Sequence, residues 1–199
     1  MEILPIVARG ASSIPTKIFY PRQTVRCSGP AAFRNQLARD IACLLDVDDS
    51  VTSWSCLGES FHHDGETYFP DLIAEREGCR TIIQANEQSE EMPTWLPDGA
   101  RSAGHEFQVL KRDDLPAIRL RNAKELLRYA GYEVGLDDRV RLLAALEDQG
   151  TLTVAECLPA FRSVPAIPGL ASLILSRAVA VDLDDALISP ETVVRRYRG

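Results

Sequence analysis

The sequence predicts an α/β chain built in two parts, and three observations point to it. Apolar residues at helical spacing around residues 33–45 lead into three runs with strand chemistry. From Leu115 onward the pattern changes to helices with recognisable starts and stops. The length, 199 residues, fits one domain or two small ones.

The first 30 residues are rich in Pro, Ser, Gly and Arg and have little periodicity, so they read as an arm with one short strand near Gln23–Arg26. "GPAAFRNQLARDIACLLDVDD" follows as a helix. Phe33, Leu37, Ile41 and Leu44–Leu45 share one face, and Asp46, Asp48 and Asp49 end it. "SVTSWSCLGESFHH" and "ETYFPDLIAE" are strand-like runs separated by Asp64–Gly65, a strong hairpin signal. "CRTIIQAN" is a third strand after Glu77–Gly78. "SEEMPTWLPDGARSAG" holds Pro93 and Pro97 and reads as a loop or a broken helix. "HEFQVL" supplies a last strand to this part.

The second part begins with "LRNAKELLRYAGY", with Leu120, Ala123, Leu126–Leu127 and Ala130 on its apolar side. "LDDRVRLLAALEDQG" reads as a helix that starts with Asp caps and stops at Gly150. "TLTVAECLPAF" opens on a Thr cap. "PAIPGLASLILSRAVA" is the most apolar helix, and "AVAVDLDDALISPETVVRR" reads as two short strands around a turn. Three helices followed by a β-hairpin is the order of a winged helix.

Composition narrows the function classes. No apolar run approaches the roughly 20 residues that span a bilayer. The start, "MEILPIVARG", lacks the basic and long apolar regions of a secretory signal, so a cytoplasmic protein without membrane contact is expected. Five cysteines at wide spacing, with no C-x-x-C pair, argue against a disulfide framework and a structural zinc site. No phosphate-binding glycine loop and no G-x-S-x-G elbow is present, which disfavours an ATPase or a serine hydrolase of that type.

The net charge is -7, yet from Ile3 to Arg39 there is no acidic residue. That stretch carries Arg9 and the candidate DNA-binding residues Lys17, Arg22, Arg26, Arg34 and Arg39. A basic arm on an acidic protein can still hold phosphate, because the local field is set within a Debye length of ~8 Å.

Two clusters invite a metal reading. "HHDGE" brings together His62, His63, Asp64 and Glu66. Adjacent strand residues point to opposite faces, so both His side chains do not readily share one ion. "YFPDLIAEREGCRTIIQANE" has the layout of a metal-dependent nuclease hairpin: Asp71 ends one strand segment, Gly78 marks the turn, and Gln84 lies on the returning strand. Phosphodiester cleavage of that kind needs oxygen ligands converging on Mg²⁺ and a cation near the attacking water. Asp71 is a good ligand and Gln84 a neutral one, and Asn86 carries no charge. Trp54 and Trp95 read as core aromatics rather than base-stacking platforms.

The ordered set resembles the TnsA transposon endonucleases, over most of the chain. "IPTKIFYPRQTVRCSGPAAFRNQLARDIACLLDVDDSVTSW" is similar to the family's approach to its first helix. "DGETYFPDLIAEREGCRTIIQAN" is similar to its G-x-x-Y-x-P-D-F…(E/Q)-x-K hairpin, and "EFQVL" with "RNAKELLRYAG" to the passage between its two domains. The resemblance implies a restriction-endonuclease-like domain, helix plus mixed β-sheet, over residues 1–112 and a mostly α winged-helix domain over 113–199. It implies DNA, a transposase subunit or an AAA+ ATPase as partners. The family's metal-binding Asp falls on Asp71 and its acid-or-Gln position on Gln84. The catalytic Lys falls on Asn86 and the helix Glu on Ala38, so both are lost, and no Lys lies between Lys17 and Lys111. Asp40, two residues on, is about 200° round a helix and does not replace the Glu. The expectation is a vestigial site, with Asp71 a weak metal ligand or none. No tightly bound cofactor is expected, and Mg²⁺ enters only if a rearranged site still cleaves DNA. The alternatives are that active endonuclease and a DNA-binding regulator.

Overall fold

Asn35 starts the first helix. Its side-chain oxygen accepts a hydrogen bond from the Ala38 N–H at 2.8 Å, which satisfies a donor that has no partner inside the helix. The computed structural model describes residues 18–87 and 92–198. Helix α1 runs over Gln36–Asp46 and is buried on two sides. Leu37, Ala38, Ile41, Ala42 and Leu45 pack against a β-sheet, whereas Cys43 and Val47 belong to the core of the second part.

The sheet is mixed and four-stranded. Strands β1 (Val51–Cys56), β4 (Leu72–Arg76), β5 (Cys79–Ala85) and β6 (Glu106–Leu110) lie in the order β1-β4-β5-β6. The first three are antiparallel neighbours, and β6 runs parallel to β5. A parallel neighbour needs a crossover, and α2 (Leu96–Ser102) supplies it, with Pro97 in its first turn where a missing N–H costs nothing. Ala100 of α2 covers the second face of the sheet with Ile73 and Ile82.

The two long strand-like runs each break into two strands. The first divides into β1 and β2 (Phe61–His63) at Leu57, whose φ of 47° turns the chain out of the sheet. The second divides into β3 (Glu66–Tyr68) and β4 at Pro70, which has no N–H to give a ladder. The Asp64–Gly65 turn, with φ of 47° and 82°, closes the β2–β3 ribbon as its chemistry predicts. Near Gln23–Arg26 there is a single bridge, between Cys27 and Trp54, in place of a strand.

The second part comprises α3 (Ala117–Leu127), α4 (Leu136–Gln149), β7 (Thr151–Thr153), α5 (Val154–Cys157), α6 (Ala166–Leu175), β8 (Val179–Val181) and β9 (Val193–Arg196). Its sheet is antiparallel in the order β7-β9-β8. The helix cap is Thr153, not Thr151 at the head of the run; it forms a reciprocal capping box with Glu156, and the helix lasts one turn because Pro159 follows. The residues before it, read as helix from sequence, are strand β7. In α6, Gly169 is required by close packing: a Cβ there would lie 2.6 Å from the Phe161 ring. Buried Asn122 of α3 holds the β8–β9 connection by donating to the carbonyls of Leu183 (2.9 Å) and Ala186 (2.8 Å) and accepting from the Ile188 N–H (3.0 Å).

The two parts share α1 and are tied by cations. Asp40 on α1 is buried and ion-paired with Arg112 and with Lys124 (2.7 Å). Arg119 donates to the Val47 carbonyl, and Arg177 to those of Asp48 and Val51. No helix among the described residues is long and apolar enough to cross a membrane.

Candidate functional site

Antiparallel pairing sets the site. The register Leu72↔Ile83 puts Asp71 opposite Gln84, one step further along the ladder. Both are 2% exposed. Asp71 Oδ2 accepts from Gln84 Nε2 at 2.6 Å and from the Ala85 N–H at 2.9 Å. Its Oδ1 receives Arg34 Nη1 at 3.2 Å. Arg34 Nη2 donates to the Phe69 carbonyl at 2.6 Å, and the guanidinium stacks on the Tyr68 ring at 5.5 Å. The sequence-predicted hairpin pair, Asp71 and Gln84, is therefore brought together. Arg34, expected on a DNA-binding arm, is brought to the same place.

This changes what Asp71 can do. Gln84 turns its NH₂ toward the carboxylate, and its Oε1 is buried without a partner. The reverse orientation would set two oxygens against each other. Mg²⁺ needs several converging oxygens. Here the carboxylate faces donors, and one is already a cation. A divalent ion at this carboxylate would meet the Arg34 guanidinium as a like charge. The residues present do not fit a divalent ion. Among the described residues no group of three or more His, Cys, Asp or Glu side chains is placed to hold a metal.

Ala38 is buried among apolar neighbours on α1, and Asn86 is half-buried, with its backbone N–H on the Leu110 carbonyl at 2.9 Å. Asp40 does not join Asp71. It turns to Gln36, Arg112 and Lys124.

The candidate DNA-binding cations separate. Arg22 is exposed and lies over the Tyr20 ring at 5.6 Å. Arg34 is partly exposed, and Lys17 lies outside the described residues. Arg39 is a correction: it is fully buried, donating to the carbonyls of Pro21 and Gln23 (both 2.8 Å) and lying on the Phe33 ring. It pins the arm to α1 and offers nothing to phosphate. Arg26 is half-buried, reaches across to the Leu175 carbonyl at 3.3 Å, and has its pKa lowered by burial and then by repulsion from Arg177. Nearby Asp46 is buried, and burial raises its pKa although it accepts the Val25 and Arg26 N–H groups and Trp54 Nε1.

The His residues behave as strand neighbours. His62 bonds to Ser60 and Thr67, while His63 packs on Trp95 at 5.3 Å. Trp54 is core, but Trp95 is only partly buried and donates to Glu66 on the β2–β3 ribbon. The Arg34–Asp71 pair was invisible in sequence because the partners lie 37 residues apart with no local pattern linking them. No family model matches the chain, and no curated protein matches it either.

Proposed function

We propose that the chain is a TnsA-like, nuclease-fold protein without cleavage activity that works by binding DNA and protein in a transposition-type complex. One observation carries this reading: the Asp71 carboxylate is engaged by Arg34, Gln84 and the Ala85 N–H, where a working site needs it open to Mg²⁺. The element order supports the fold assignment. A helix, three antiparallel strands, a helix and a parallel fourth strand is the order of restriction-endonuclease-like domains, here residues 1–112. Four helices, α3 to α6, with a β7-β9-β8 sheet are compatible with a winged helix over 113–199. In this reading Arg22 and Arg34 face DNA, and the second part meets a transposase subunit or an AAA+ ATPase. Its charge is close to balanced, thirteen Lys/Arg and fourteen Asp/Glu from residue 105 on, against nine and fifteen before it. A near-neutral surface suits protein contact better than phosphate.

The test is a nicking assay on supercoiled plasmid with Mg²⁺ or Mn²⁺. The rate should equal that of buffer. Metal-dependent nicking that disappears in Asp71→Ala would replace this reading with an endonuclease of rearranged site.

A further inference from the structure

Two short stretches of the chain repeat one pattern: "FYP" at 19–21 and "YFP" at 68–70. In each, the first aromatic turns inward. Phe19 is 9% exposed, and Tyr68 is half-buried beneath the Arg34 guanidinium. In each, the second aromatic turns outward, Tyr20 at 64% and Phe69 at 42% exposure, and the proline after it is buried. The two stretches flank the N-terminus of α1. Gln36 Nε2 holds the Tyr20 carbonyl at 3.2 Å, and Arg34, two residues earlier, holds the Phe69 carbonyl at 2.6 Å. Arg22 lies over Tyr20, and the first turn of α1 contains no acidic residue.

Resting on the reading of the chain as a DNA-binding protein, we propose that this face holds nucleic acid with unpaired bases, which stack on Tyr20 and Phe69 while Arg22 meets phosphate. The choice of single strand over duplex follows from the chemistry. A duplex shows a protein its phosphates and base edges, and its base faces are already stacked. An exposed aromatic ring gains only from a base that is free to lie on it. Arg22, exposed beside Tyr20, supplies the cation that a backbone between such bases needs. Both outward aromatics are positioned through their backbone carbonyls; the Arg22 guanidinium lies over the Tyr20 ring, which is still 64% exposed.

Fluorescence anisotropy of the full chain separates the possibilities, with labelled oligothymidine and a labelled mixed-sequence duplex of equal length as probes. Oligothymidine should bind more tightly than the duplex. Tyr20→Ala and Phe69→Ala should each weaken it about tenfold, within the range known for loss of one stacking partner. Tyr20→Phe and Phe69→Tyr should retain binding. The rings are exposed, so melting curves of the alanine variants should match the parent and exclude misfolding. Duplex binding as tight as oligothymidine binding, unchanged in both alanine variants, would overturn the stacking face and leave the DNA-binding reading standing. Failure to bind either probe would overturn both.

Discussion

Two buried aspartates, Asp71 and Asp40, solve the same electrostatic problem in different ways. Asp71 takes two of its donors from the neighbouring strand β5, through Gln84 and the Ala85 N–H, and a third from Arg34. Asp40 takes a bond from Gln36 within its own helix and both its cations, Arg112 and Lys124, from beyond the first sheet. A buried carboxylate must be paired or lose its charge. Where the partners are strand neighbours, the carboxylate serves as a local anchor for one corner of the sheet. Where the partners come from far along the chain, it becomes a clamp between two parts. The same residue type thus reports on local assembly at one site and on docking at the other.

The largest effect should follow from stripping Asp40 of its cations. The Arg112→Ala, Lys124→Ala double variant leaves a buried carboxylate held by Gln36 alone. The expected loss is about 3 kcal/mol, toward the lower end for a broken buried pair because both cations are partly exposed. Urea unfolding should show it, with the two parts beginning to separate into distinct transitions. A single transition at the parent midpoint would mean that Asp40 is no clamp.

Asp71→Ala should cost less, about 1.5–3 kcal/mol for the lost charged hydrogen bonds. Because Gln84, the Ala85 N–H and Arg34 all belong to the first part, unfolding should remain one transition with a lowered midpoint. A loss larger than that of the Asp40 variant would reverse the ranking.

Arg22 and Arg39 sharpen the comparison on the arm. Arg22→Ala should flatten the salt dependence of DNA binding by roughly 0.9 log units if it makes one phosphate contact, with stability unchanged. Arg39→Ala should lower the melting temperature, since it removes donors from the Pro21 and Gln23 carbonyls. An Arg39 variant of parent stability with weakened DNA binding would contradict its burial.

The smallest effect lies in the capping box of α5. The Thr153 N–H and then the Thr153 hydroxyl hold the Glu156 pKa below the ordinary carboxylate value. A depressed folded-state pKa contributes stability that is present above the unfolded value, about 4.3, and is lost as pH falls through the folded value. Glu156→Gln should therefore shallow the fall of melting temperature between about pH 5 and pH 3. A parallel offset at all pH values would exclude the linkage.

Much of the fold was legible in the sequence because local chemistry wrote it there. The apolar face of α1, the Asp64–Gly65 turn and the Gly150 helix stop all act within a few residues. The pairing of Asp71 with Gln84 was also legible, since a short turn fixes the register between adjacent strands. What the sequence did not disclose was which long, charged side chains face inward. Arg34, Arg26 and Arg39 share one acid-free stretch and look alike as residues. Their fates diverge because one meets a carboxylate from the sheet, one a carbonyl at the end of α6, and one the carbonyls of its own arm. Helix and turn signals are local and short-ranged. The pairing of a buried charge depends on groups brought together only when the sheet, α1 and the second part have closed on one another, and tertiary structure alone decides it.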